Sequence, residues 1–166
     1  INSKLNKMVR LNKSRMDYYQ KFQEMIDEYN SGAKNVDAFY TELLNLVQSL
    51  SQEEQRGISE NLSEEELAVF DLLTKPGPNL NKKEQESVKE VARKLLNNLK
   101  SEKLVLDWRK RQQSRASVQL QIEKILDQLP DTYDRPIFDK KFTVIYQHVY
   151  DSYYGAGSSI YAPVAG

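Results

Sequence analysis

The chain has no cysteine and a single histidine, His148, among its 166 residues. Without thiols there is no disulfide framework, no thiolate metal site and no cysteine nucleophile, and one imidazole cannot build a histidine-rich metal cluster. An excess of either charge is also lacking, since 24 lysines and arginines stand against 24 aspartates and glutamates. The chain as a whole is therefore not a polycation, and any contact with nucleic acid must come from a local basic patch. No apolar run approaches the ~18 residues that span a bilayer, and the opening Ile1-Asn2-Ser3-Lys4-Leu5 has no signal-peptide core. We expect a cytoplasmic protein with no membrane partner. Glycines number six, and none opens a helix in the Gly-x-x-x-x-Gly-Lys-Ser/Thr pattern that cradles phosphates, so this chain is not expected to hydrolyse ATP. A start at Ile rather than Met suggests a piece of a longer polypeptide. Residues 163–166, in the small-residue ending Ala162-Pro163-Val164-Ala165-Gly166, read as a tail or appended linker outside the fold.

What is present is helical periodicity. The length suits one domain, expected over residues 1–162. Leu5, Met8, Val9, Met16, Tyr19, Phe22, Ile26 and Tyr29 keep three/four spacing and predict one long first helix, stopped at Asn30-Ser31-Gly32. Val36, Phe39, Tyr40, Leu43, Leu44, Val47 and Leu50 predict the core face of the next. Ser51-Gln52-Glu53-Glu54, Ser63-Glu64-Glu65-Glu66 and Asn81-Lys82-Lys83-Glu84 each fit a capping box and mark helix starts. Residues 67–73 are apolar almost all round, as expected of a short central helix. Lys75-Pro76-Gly77-Pro78 is the strongest internal break, and Val88, Val91, Ala92, Leu95, Leu96 and Leu99 form the seam of the helix beyond it. A last helix is predicted from Ile137 to about Tyr153. Without a convincing period-two stretch, the fold class is all-α, an irregular compact bundle of about six helices.

The stretch that stands out lies at residues 104–129 and contains the only Trp and the densest basic cluster. As a helix it carries Val118, Ile122, Ile125, Leu126 and Leu129 on an ordinary core stripe, preceded on that stripe by Trp108, Arg111 and Arg115. Such a stripe either pairs its arginines with buried carboxylates or shows a basic, aromatic face to another molecule. Arginine's planar fork suits phosphate and carboxylate alike, and Trp is a frequent interface anchor. Trp108, Arg109, Lys110, Arg111 and Arg115 are therefore candidate partner-binding residues, beside a structural role for the same side chains. Tyr150 and Tyr154, among the carboxyl-terminal tyrosines, pose the same choice.

Two patterns bear on catalysis. Pro130-Asp131 followed by Asp139-Lys140-Lys141 echoes the Pro-Asp and acid-x-Lys signature of metal-dependent nucleases. That chemistry needs its carboxylates on adjacent strands, whereas a loop and a helical first turn are predicted here, where Asp caps and Pro starts a helix. His148 has no nucleophile placed beside it by the sequence. We expect no catalytic and no metal-binding residues.

Four motifs are familiar in combination: Tyr29-Asn30-Ser31-Gly32; Leu62-Ser63-Glu64-Glu65-Glu66 running on to Leu72-Leu73; Leu106-Asp107-Trp108-Arg109-Lys110-Arg111-Gln112-Gln113; and His148-Val149-Tyr150-Asp151-Ser152-Tyr153-Tyr154-Gly155. In this order they resemble the carboxyl-terminal region of the R (HsdR) subunit of type I restriction enzymes, over roughly residues 5–162. The resemblance implies a parent protein that is an ATP-dependent DNA translocase and endonuclease, using ATP and Mg²⁺. Its nuclease and motor domains would lie upstream and be this segment's intramolecular partners. For this segment it implies no cofactor and a non-catalytic docking role, attaching the R subunit to the methyltransferase core of M and S subunits. The alternative is a module that contacts duplex DNA and guides it to the motor.

Overall fold

A computed structural model describes residues 1–162, and the expected tail at 163–166 lies outside the described residues. The fold is all-α, with seven α-helices and one small hairpin among the described residues. The chain divides into two compact units, Ile1–Ser63 and Glu64–Gly166. The Lys75-Pro76-Gly77-Pro78 break thus lies inside the second unit as a loop between two packed helices.

The first unit contains α1 (Asn2–Leu11), α2 (Met16–Asn30) and α3 (Val36–Ser59). The single long first helix predicted from spacing is in fact two. Asn12 is extended, at φ −152° and ψ 104°, and its side-chain oxygen accepts from the Ser14 amide at 3.1 Å and the Ser14 hydroxyl at 2.8 Å. An Asn side chain that offers the backbone a local partner competes with the helix ladder. The 3-10 turn Lys13–Arg15 follows and sends Arg15 inward. Arg15 donates to Glu53 at 2.9 Å, and Arg56 donates to both Glu53 oxygens at 3.0 and 2.9 Å. Glu53 is therefore an internal residue of α3, and the Ser51 box starts no helix: the Ser51 hydroxyl donates back to the Val47 carbonyl at 3.1 Å. Leu5, Met8, Phe22, Met25, Leu46 and Leu50 form the core of this unit, flanked by Phe39 and Leu43. Val36, Tyr40, Leu44 and Val47, assigned by spacing to that core, are exposed on the neighbouring face of α3. The helix carries two apolar stripes, and only one of them is covered.

In the second unit α4 (Glu64–Thr74) packs on α5 (Lys82–Asn98) and α7 (Arg135–Ser152), and α6 (Gln112–Leu126) closes the ring by packing on the same two. The expected central character of α4 is observed, with Leu67, Ala68, Val69, Phe70 and Leu73 all buried. Asn81 and Glu84 complete the predicted capping box at the start of α5. Asp134 caps α7, with Pro136 in its first turn. Carbonyls freed at the end of α4 are taken up by side chains from beyond α6: the Tyr133 hydroxyl donates to Leu73 at 2.8 Å and the Lys141 ammonium to Leu72 at 2.8 Å. Burial pushes the Tyr133 hydroxyl up to about 12. After α7 the chain turns through the hairpin of β1 (Tyr153–Gly155) and β2 (Ser158–Ser159). Among the described residues no helix is long and apolar enough to cross a membrane.

Candidate docking surface

The predicted helix over residues 104–129 begins only at Gln112. Before it the chain passes from a π-helical turn, Leu99–Lys103, through Asp107 in the left-handed region (φ 58°, ψ 25°) to a 3-10 turn at Trp108–Lys110. What breaks the helix is the destination of the indole. Trp108 is fully buried, and its indole N–H donates to the Tyr153 carbonyl at 3.0 Å. Its ring meets those of Tyr146 and Tyr150 edge-on, at centroid separations of 6.5 and 5.9 Å. A buried indole brings a large apolar area and a donor that must be satisfied; here the hairpin supplies the acceptor. Trp108 is accordingly an internal anchor and presents nothing to a partner, which corrects its reading as a direct contact.

The hairpin and the turn fit closely. Gly155 has φ +103°, and a Cβ there would collide with the Val105 carbonyl. The Ala156 amide donates to the Leu104 carbonyl at 3.0 Å. Tyr153 is buried and its hydroxyl donates to Glu65 at 3.1 Å; burial first, and the Glu65 charge second, push that hydroxyl far above its ordinary value. Lys100 meets the same carboxylate at 2.7 Å.

The arginines split. Arg109 is half-buried, its guanidinium 5.4 Å from the Tyr150 ring centre and 4.8 Å from that of Tyr154, and it donates to the Tyr150 carbonyl at 3.2 Å. Arg115 donates to the Arg109 carbonyl at 2.6 Å. Both arginines are thus bound up in the turn, on aromatic faces and neutral carbonyls, and neither meets a carboxylate among the described residues. Lys110 and Arg111 are exposed and have no ion-pair partner among the described residues. Tyr150 is half-buried under Arg109, and Tyr154 is exposed at the hairpin. Beside them stand two residues the sequence reading did not single out, Val105 and Leu106, the latter 63% exposed. Their signal was an apolar run too short and too crowded with neighbours to show that it lies outside the core. The surface offered by the turn therefore includes Val105, Leu106, Lys110, Arg111 and Tyr154, together with the exposed Asp107.

The catalytic patterns gain no geometry. Asp131 is exposed in the turn after α6, and Asp139 lies in α7, 3.2 Å from Arg135. Among the described residues no group of three or more potential metal-ligating side chains comes together. His148 does have a hydroxyl nearby, Ser152 at 3.4 Å from Nδ1, but both are buried and His148 lies edge-on to Tyr153 and Tyr161.

Fold and surface together define a helical module whose most distinctive feature is a rigid basic and apolar turn. The chain matches, over residues 1–149, the family described as type I restriction enzyme HindI endonuclease subunit-like, C-terminal, and belongs to it. That family represents the C-terminal region of a type I restriction endonuclease subunit. No curated protein and no solved structure matches the chain. The family match ends within α7, so Tyr150 and Tyr154 lie beyond the matched residues.

Proposed function

We propose that this chain is a non-catalytic docking module that attaches the endonuclease subunit to the methyltransferase core of the M and S subunits. The observation that carries this reading is the exposed turn made of Val105, Leu106, Lys110, Arg111 and Tyr154, held in place by a buried indole. Exposed apolar side chains with charged neighbours, on a backbone fixed from beneath, are what a preorganised protein interface needs. ATP and Mg²⁺ belong in this reading to upstream domains of the parent.

The test is capture of the assembled methyltransferase by the purified chain, in parallel with a duplex-DNA titration at two salt concentrations. Capture that survives moderate salt and falls at least about tenfold with Leu106→Asp supports docking. Trp108→Ala is a poor probe of contact, because it removes the core of the turn. The DNA-contacting reading has its own support in the unpaired Lys110 and Arg111. It predicts DNA affinity that drops steeply with salt and is lost in the Lys110→Gln, Arg111→Gln double variant. Salt-sensitive DNA binding without capture would replace the docking reading.

A further inference from the structure

A second surface feature lies along the first half of α7 and shares no lining residue with the Trp108 turn. A groove of about 810 Å³ runs between the loop after α4 and α7, lined by Pro76, Ile137 and Val144 together with Lys75, Lys140 and Lys141. Val144 is 40% exposed although aliphatic. Ile137, Lys140 and Val144 recur at helical spacing along one wall, which makes that wall linear.

The charges are one-sided. Lys141 is buried, and its ammonium donates to the carbonyls of Leu72 at 2.8 Å, Pro76 at 3.0 Å and Lys75 at 3.4 Å. These acceptors are all neutral, no carboxylate among the described residues lies within ion-pair distance, and burial holds the amine below the usual lysine range. A desolvated cation balanced only by carbonyl dipoles leaves the surrounding wall positive. Lys140 has no ion-pair partner among the described residues. Lys75 sits 3.8 Å from Asp71. The aspartate in the lining, Asp139, is already paired with Arg135 at 3.2 Å.

We infer that this groove docks an acidic, apolar peptide segment of a protein partner, which lays an aliphatic side chain against Ile137 and Val144 and sets a carboxylate at Lys140. An open, linear wall suits a peptide better than a free amphiphile, since a segment fills it with side chains at regular spacing. The carboxylate supplies the negative charge that the Lys141 environment lacks. This docking is independent of the methyltransferase reading and uses none of the residues of the Trp108 turn.

The probe is a fluorescein-labelled helical peptide with leucines at i, i+3, i+4 and i+7 and glutamates elsewhere, titrated into the full chain. A matched peptide carries lysine in place of every glutamate. Saturable binding of the acidic peptide is expected, with the basic one at least about tenfold weaker. Val144→Asp and Lys140→Glu, both at exposed positions that leave the thermal melt unchanged, should each weaken the acidic peptide about tenfold. Amide shifts in an NMR titration should centre on Ile137, Lys140 and Val144. Four outcomes would overturn the inference: no saturable binding, equal binding of the two peptides, indifference to both substitutions, or shifts confined to residues 105–111. Binding of dodecanoate but of neither peptide would overturn it too, by assigning the groove to a free amphiphile.

Discussion

Two 3-10 turns interrupt stretches that periodicity reads as continuous helix, one in each unit, and they are held in opposite ways. At Lys13–Arg15 the arginine goes inside and meets a carboxylate: Arg15 and Glu53 are 3% and 7% exposed and 2.9 Å apart. At Trp108–Lys110 the aromatic goes inside, and Arg109 stays half-buried on tyrosine faces and carbonyls. The first lock depends on ionisation and the second does not. A basic residue beside a helix break therefore has no fixed fate. Whether it is buried depends on whether polar partners arrive to meet it, a carboxylate for Arg15 or a set of carbonyls as at Lys141, because a charge without them is far too costly to bury.

The largest effect should come from emptying the second lock. Trp108→Ala is expected to destabilise the second unit by about 3–5 kcal/mol, as deletion of a large buried aromatic usually does. Urea denaturation followed by circular dichroism measures it. Since Trp108 is the only tryptophan, wild-type fluorescence reports on this unit alone. It should be blue-shifted and resist acrylamide quenching; ready quenching would refute the burial.

Next is the ionic lock. Glu53→Ala strands Arg15 in the core of the first unit and should cost about 3 kcal/mol. The pH dependence separates the two turns further. Burial alone would raise the Glu53 carboxyl, but hydrogen bonds from Arg56 and Arg15 outweigh it and hold the group below its ordinary 4.5. Its contribution is therefore complete above about pH 4.5 and is lost as pH falls through the lowered folded value. The stability gap between wild type and Glu53→Gln should accordingly shrink on acidification through that window. A gap that is constant from pH 6 to pH 2 would mean that the carboxylate contributes nothing through its charge.

Smaller still is the hairpin contact. Gly155→Ala forces a side chain into a positive-φ site already filled by the Val105 carbonyl, and about 2 kcal/mol of destabilisation is expected. Thermal melts of the variant would show it, and an unchanged melt would mean the hairpin does not need to sit against the turn. The smallest effect is Arg109→Lys. Replacing a planar guanidinium that stacks on two tyrosines should cost roughly 0.5–1 kcal/mol and should show little salt dependence, unlike an exposed ion pair.

Much of this architecture follows from local sequence. The capping box at Asn81 and Glu84, the apolar residues of α4 and the Lys75-Pro76-Gly77-Pro78 loop all rest on interactions within a few residues, and these read true. Local pattern misled where a distant group decided the outcome. The Ser51 box looks like a helix start, yet Arg15 draws Glu53 inward and α3 runs on. Val36, Tyr40, Leu44 and Val47 have core spacing, but α3 has two apolar faces and periodicity cannot say which one is covered. The candidate site divides in the same way. Its cations and aromatics were visible as a cluster, whereas the inward turn of Trp108 and the outward turn of Val105 and Leu106 were not.

By itself, then, the sequence determined the helical class, several caps and loops, and the resemblance to the restriction-subunit family, because periodicity and capping act within a turn or two of helix. Tertiary structure alone decided where the long helices break and which of several equivalent faces becomes core. It also decided that the indole anchors the turn while its neighbours present themselves to solvent. These outcomes turn on partners far away in the chain, the Glu53 carboxylate for Arg15 and the Tyr153 carbonyl for Trp108. A buried donor or charge goes only where such a partner exists.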